Sequence, residues 1–134
     1  MGINVYWDNP ERTVIVFDFD EQWTVEEFIA RSRQTQQMML SVGHPVAMIT
    51  LFSQGIQLPK GFFQSLYTAQ KMLTPNFAGT TVVADTPFGH SVFNLLSTVV
   101  PGIMMRVQIT ADEDTAREMA LAMVHANWDQ SPVR

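Results

Sequence analysis

The segment Val46–Leu66, VAMITLFSQGIQLPKGFFQSL, decides how the chain is read. Val46–Phe52 is an apolar run of strand length, the kind a sheet buries on both faces. Val46, Met48, Ile49 and Leu51 are therefore expected to be almost fully buried. Ser53–Leu58 reads as a short loop containing Gly55, and Pro59 as the first residue of a helix, where its missing N–H costs nothing. A buried strand feeding a helix through an exposed loop is where α/β domains commonly place function.

Working back from this segment, Ile3–Trp7 alternates, with Ile3, Val5 and Trp7 on one face. Asp8–Arg12 is turn chemistry, and Thr13–Phe19 is rich in β-branched residues, so an antiparallel hairpin is predicted. Thr24-Val25-Glu26-Glu27 fits a capping box. The helix it opens carries Phe28, Ile29, Ser32, Thr35 and Met39 on one stripe and ends near Gly43. His44-Pro45 then breaks the chain before the central strand.

Working forward, Phe62, Phe63, Leu66, Ala69, Gln70 and Leu73 recur at helical spacing, and Thr74-Pro75-Asn76 ends that helix. Thr80–Ala84 is a short buried strand. Thr86-Pro87 opens a further helix, apolar through Val92, Phe93, Leu95, Leu96, Val99 and Val100, that Pro101-Gly102 stops. Met105, Val107 and Ile109 alternate on a last strand. Thr110-Ala111-Asp112-Glu113 reads as a second capping box, with Asp112, Glu113 and Asp114 where the helix dipole favours anions. The tail Asn127–Arg134 is expected to fray. The order is ββαβαβαβα without linker or repeat. It predicts one α/β domain over residues 1–134, with a mixed sheet of about five strands and about four helices packed on it.

Composition narrows the function. Hydrophobic residues make up 46% and mean hydropathy is +0.04, so the chain holds enough apolar surface for a core. Only 16% is charged, against roughly 25% in an average domain, and a sparsely charged surface suits coverage by a partner. The net charge of −5, with no basic run, argues against nucleic acid. Without cysteine there is no disulfide, thiolate metal site or cysteine nucleophile. Met1–Asn9 lacks the pattern of a secretion signal, and Leu95–Met105 is interrupted by Ser97, Pro101 and Gly102. A cytoplasmic protein that does not insert into membranes is the expectation, with no cofactor and no metal.

The element order, and several residues within it, resemble the STAS domain, the anti-sigma-factor antagonist or stage II sporulation protein AA-like fold. The likeness is to small stand-alone bacterial members. It is carried by Trp7-Asp8-Asn9-Pro10-Glu11, Trp23-Thr24-Val25-Glu26-Glu27-Phe28, His44-Pro45-Val46, Leu58-Pro59-Lys60-Gly61 and Phe93-Asn94, and it covers nearly the whole chain. In regulatory members the loop after the central strand holds an Asp-Ser-Ser-Gly-like motif whose serine a partner kinase phosphorylates. Leu58-Pro59-Lys60-Gly61 keeps only the glycine of that motif. The resemblance thus implies a regulatory protein-binding scaffold without the phosphorylatable serine.

Three constellations compete with plain structural roles. Asp18-Phe19-Asp20 at a strand end is similar to the first motif of haloacid-dehalogenase-type magnesium phosphatases. Gln22 replaces the residue expected after it, no later acidic pair follows, and solvation of a strand end accounts for the acids. His44, His90 and His125 show no metal spacing; His90 beside Asp85 and Ser91 would need a triad geometry the sequence does not display. The methionines Met38, Met39, Met48, Met72, Met104, Met105, Met119 and Met123 fill a core or line an adaptable surface.

Two functions follow. The first is a non-enzymatic interaction module contacting a protein partner, a second copy of the chain included, through Ser53, Gln54, Gly55, Ile56, Gln57, Leu58, Lys60 and Phe62. The second is a binder of a small apolar ligand or lipid, lined by the methionines with Phe52, Phe62, Phe63, Phe88 and Phe93. The phosphatase reading ranks third.

Overall fold

The computed structural model describes residues 2–52, 58–84, 90, 91, 94 and 107–128. A five-stranded mixed sheet runs β1 (Ile3–Trp7), β2 (Val14–Phe19), β3 (Val46–Phe52), β4 (Phe77–Val83) and β5 (Val107–Thr110), each strand beside the next in sequence. β1 is antiparallel to β2; the others are parallel. Three helices are described: α1 (Val25–Leu40), α2 (Phe62–Gln70) and α3 (Glu113–Trp128). The predicted helix from Thr86-Pro87 falls outside the described residues except for His90, Ser91 and Asn94, which are helical and exposed. Parallel strands laid in one direction by right-handed crossovers keep their connecting helices on one face. α1 and α2 accordingly pack together on one side of the sheet, and α3, which follows the last strand, lies across β2–β5 on the other.

Strand alternation sorts the residues between these layers. Val14, Val16, Ala47 and Ile49 meet Ala116, Ala120 and Val124 of α3. Ile15, Phe17, Phe19, Val46 and Met48 point the other way, toward α1 and α2. The central strand is interior, between β2 and β4, as its apolar run predicts. Val46, Ala47 and Ile49 are fully buried, whereas Met48 and Leu51 are only half-buried, because the layers above them do not seal over both.

Local signals place most helix ends. The Thr24 hydroxyl accepts the Glu27 N–H at 3.0 Å, as the capping box requires. The Glu27 carboxylate accepts from Ile3 N at 2.9 Å, tying the helix start to β1. Ser32 and Thr35 sit in the buried stripe because each hydroxyl donates to the carbonyl four residues earlier, Phe28 and Arg31, at 2.9 Å.

Other boundaries differ from expectation. Pro59 does not open α2. The chain turns first, with Phe62 N donating to Pro59 O at 3.2 Å and Gly61 at φ 86°, ψ 6°. Those angles suit the third residue of a type II turn, a left-handed position that favours glycine. Thr110 closes β5 and is not a cap; Asp112 takes that role, accepting Thr115 N at 2.8 Å. β4 begins at Phe77, three residues before the predicted strand, because Gly79 at φ 143° lets a bulge shift the register opposite Val46 and Ala47. Of the tail expected to fray, Asn127 and Trp128 belong to α3, where Asn127 donates to Met123 O and Trp128 stacks on His44 at 5.3 Å, and residues 129–134 lie outside the described residues.

Candidate functional site

The layer between the sheet and α1–α2 is built from large side chains. Phe17 stacks on Phe19 with centroids 5.0 Å apart, and Phe52 lies 4.9 Å from Phe19. Phe28 meets Phe62 edge-on at 5.6 Å, and Trp23 meets Phe62 at 5.2 Å. Such rings are stiff and prefer offset or edge contacts, so a layer made of them does not close around every gap. Beside this cluster remains a pocket of about 150 Å³. Its sheet wall is Phe17, Phe19, Met48, Thr50, Phe52, Thr80, Val82 and Val107. α1 contributes Phe28, Ser32, Thr35, Gln36 and Met39; α2 contributes Phe62, Leu66, Ala69 and Gln70, followed by Met72 and Leu73, with Phe77 at the start of β4.

The polar atoms of this wall are mostly occupied. Ser32 and Thr35 bond to their own helix, and the Thr50 and Thr80 hydroxyls pair across β3–β4 at 3.0 Å. Asn76, just below, donates to Met39 O and His44 O at 2.9 Å each, which pins the end of α1 to the start of β4. Gln70 is different: its Oε1 is buried and has no hydrogen-bond partner. No ionisable residue lines the pocket among the described residues.

A second hollow, about 420 Å³, lies between β4–β5 and α3, against Ala78, Gln108, Met119, Ala122, Met123, Ala126 and Asn127. Ala122 and Ala126 are exposed, so this is a surface groove open to water, with polar amides in its wall.

On the same side of the sheet, charged groups gather near the start of α3. Arg117 holds Asp8 in a bidentate pair, Nε to Oδ2 at 2.6 Å and Nη2 to Oδ1 at 3.0 Å, which keeps the guanidinium protonated still more firmly than usual. Burial pushes the Asp18 carboxyl up, and the neighbouring charges of Asp20 and Glu113 push the same way. Burial likewise raises Tyr6, with Asp18, Glu113 and Asp8 adding to it. Asp112 is held below the usual carboxylate range by the amide and hydroxyl of Thr115. Asp20 is exposed and its N–H donates to Gly2 O. No group of three metal-ligating side chains forms among the described residues.

The predicted interface divides. Residues 53–57, holding Ser53, Gln54, Gly55, Ile56 and Gln57, lie outside the described residues. Leu58 is half-buried and packs on the aromatic cluster. Lys60 is exposed in the turn, whereas Phe62, 3% exposed, turns its ring into the core. Of the residues expected around an apolar ligand, Phe52, Phe62, Met39, Met48 and Met72 line the pocket. Phe63 packs against the aromatic cluster, Met38 beside Met39's cluster, and Met119 and Met123 on the α3 side. Phe88, Phe93, Met104 and Met105 lie outside the described residues.

Sequence reasoning missed Phe17, Phe19, Phe28, Phe77, Thr50, Thr80 and Gln70 as pocket residues. The available signal was Gln70 itself, a polar residue within the apolar stripe of α2. Among the described residues no helix is long and apolar enough to cross a membrane. No protein-family model matches the chain, and no curated protein or solved structure matches it.

Proposed function

We propose that the chain is a non-catalytic binding module that holds a small apolar molecule between its sheet and α1–α2. The observation that carries this reading is the pocket of about 150 Å³, walled by phenylalanines and methionines from β2, β3, β4, α1 and α2. An apolar cavity of roughly this size stays dry and takes a benzene-sized guest. Rigid phenylalanine walls hold its shape, and flexible thioethers adapt to the guest. The test is titration with toluene, followed through the methionine methyl signals in NMR. Met39, Met48 and Met72 should shift saturably while Met119 and Met123 stay in place. Shifts confined to Met119 and Met123, or none at all, would reject the pocket as the binding site.

A second reading keeps the regulatory, protein-binding role that the STAS resemblance implies. It is supported by the turn Pro59–Phe62, which holds Lys60 in solvent, and by the exposed Tyr67 of α2, whose ring lies 5.8 Å from the Lys71 Nζ. Such a platform presents a cation and an aromatic ring on a fixed backbone, a combination common at interface anchors. Co-purification with wild-type bait and with a Lys60→Glu, Tyr67→Ser bait tests it. A partner retained by the first and lost by the second is expected. The same proteins on both baits would remove this surface from consideration.

A further inference from the structure

Four buried polar side-chain atoms among the described residues have no hydrogen-bond partner: Trp23 Nε1, Arg31 Nε, Thr81 Oγ1 and Gln70 Oε1. Gln70 alone of these residues lines the apolar pocket. Buried acceptors in folded proteins almost always find a donor, and each exception asks for an explanation. The four hydroxyls of the wall are already paired. Ser32 and Thr35 are turned back onto α1, and Thr50 and Thr80 onto each other.

We infer that the ligand of this pocket is a single-ring aromatic molecule carrying one hydrogen-bond donor, of the phenol class, and that its hydroxyl is received by Gln70 Oε1. The inference rests on the pocket reading above and adds the chemistry of its occupant. The size comes from the volume, which admits one ring and little more. Aromatic character is favoured because Phe17, Phe28, Phe52 and Phe62 offer faces and edges, and Met39 and Met48 offer sulfurs, all of which pair well with a ring. Charged ligands are disfavoured, since a carboxylate or ammonium would enter with no counter-ion in the described wall. A neutral hydroxyl meets one acceptor that currently lacks a donor. A site with such an unpaired group discriminates strongly against an analogue that cannot pair with it.

The test compares phenol, anisole and toluene by calorimetry on the wild-type protein and on Gln70→Met, whose side chain has nearly the same shape but no amide. Methionine methyl shifts confirm where each compound sits. In the wild type, phenol should bind more tightly than anisole, which has an oxygen but no donor. The ratio of phenol to toluene affinity should fall about tenfold in Gln70→Met, the effect of one hydrogen bond to a buried acceptor. Toluene itself should bind the variant at least as well. If all three compounds bind the wild type without preference for phenol, the pocket stands and the donor assignment falls. If phenol is preferred but Gln70→Met keeps the preference, another group receives the hydroxyl and the assignment to Gln70 is wrong. Should Gln70→Met fail to fold, the phenol–anisole comparison in the wild type still decides, equal affinity overturning the inference. If none of the three binds the wild type, the pocket reading fails with it.

Discussion

The two faces of the sheet are filled by opposite strategies. Against α3, Val14, Val16, Ala47 and Ile49 meet Ala116, Ala120 and Val124, small and β-branched groups that let helix and sheet approach closely. Where α3 crosses β2–β4, these residues are nearly all sealed from water. Against α1 and α2 the same strands present Phe17, Phe19, Met48 and Phe52, which hold the helices off on stiff rings and leave about 150 Å³ unfilled. Close packing is the default of a protein interior, and a layer that departs from it loses dispersion contacts. The aromatic layer carries that loss; where α3 meets β2 and β3 it is avoided, and the groove on that side opens only further along, between β4–β5 and α3.

The largest effect that tests this contrast is loss of a pillar. Phe62→Ala should destabilise the protein by about 3–5 kcal/mol, since it removes a buried ring beside an existing void. A loss under about 1 kcal/mol in denaturant unfolding would mean that the aromatic layer does not support the fold. Next comes one substitution made on both faces. Ala120→Leu, in the sealed layer, should cost about 1–3 kcal/mol through overpacking. Ala69→Leu, in the pocket wall, should be neutral or stabilising and should abolish toluene binding. The reverse order of thermal midpoints would break the distinction between the faces.

Smaller effects sharpen it. Thr24→Ala removes the cap of the helix that roofs the pocket and should cost about 1 kcal/mol, read as a lower denaturation midpoint. An unchanged midpoint would show that α1 is held by packing alone. Asp18→Asn should have the smallest effect and the opposite sign. Burial, then Asp20 and Glu113, raise the carboxyl, so the folded chain holds this proton more tightly than the unfolded chain. Its stabilising contribution is present below the ordinary carboxylate range and is lost as pH climbs through the raised value. The neutral amide should therefore stabilise modestly at pH 7, and the gain should vanish on acidification. A stabilisation that persists at low pH would assign the effect to something other than charge.

The contrast between faces was only partly legible in the sequence. Ile3–Trp7, the Thr24 cap and the Phe28–Met39 stripe were readable because each depends on residues within a turn or two of one another. What failed depended on partners further away. The start of β4 at Phe77 rests on a bulge at Gly79 against β3, and the start of α2 rests on Gly61 adopting a left-handed turn that Pro59 alone does not reveal. Thr110 has the spacing of a cap, but strand pairing of β5 with β4 claims it, and Asp112, read from the sequence only as an acid favoured by the helix dipole, accepts the Thr115 amide instead. The pocket was foreseen as a class of residue, methionine and phenylalanine, but not as a place. Its location follows from the register that sets Phe17 beside Thr50 and Phe19 beside Phe52, and from where α1 and α2 settle on those rings. The unpartnered state of Gln70 follows from the same packing, which no local pattern encodes.

The proposal that the aromatic layer holds an apolar guest, while the contact of α3 with β2 and β3 leaves no room for one, can be tested most directly with xenon, which enters apolar cavities without needing a particular shape. A crystal of the protein pressurised with xenon should show the atom between β3–β4 and α1–α2, in contact with Phe17, Met48 and Phe62, and none between Val16, Ile49 and Ala120. Absence of xenon from the aromatic face, or its entry beneath α3 instead, would contradict the account.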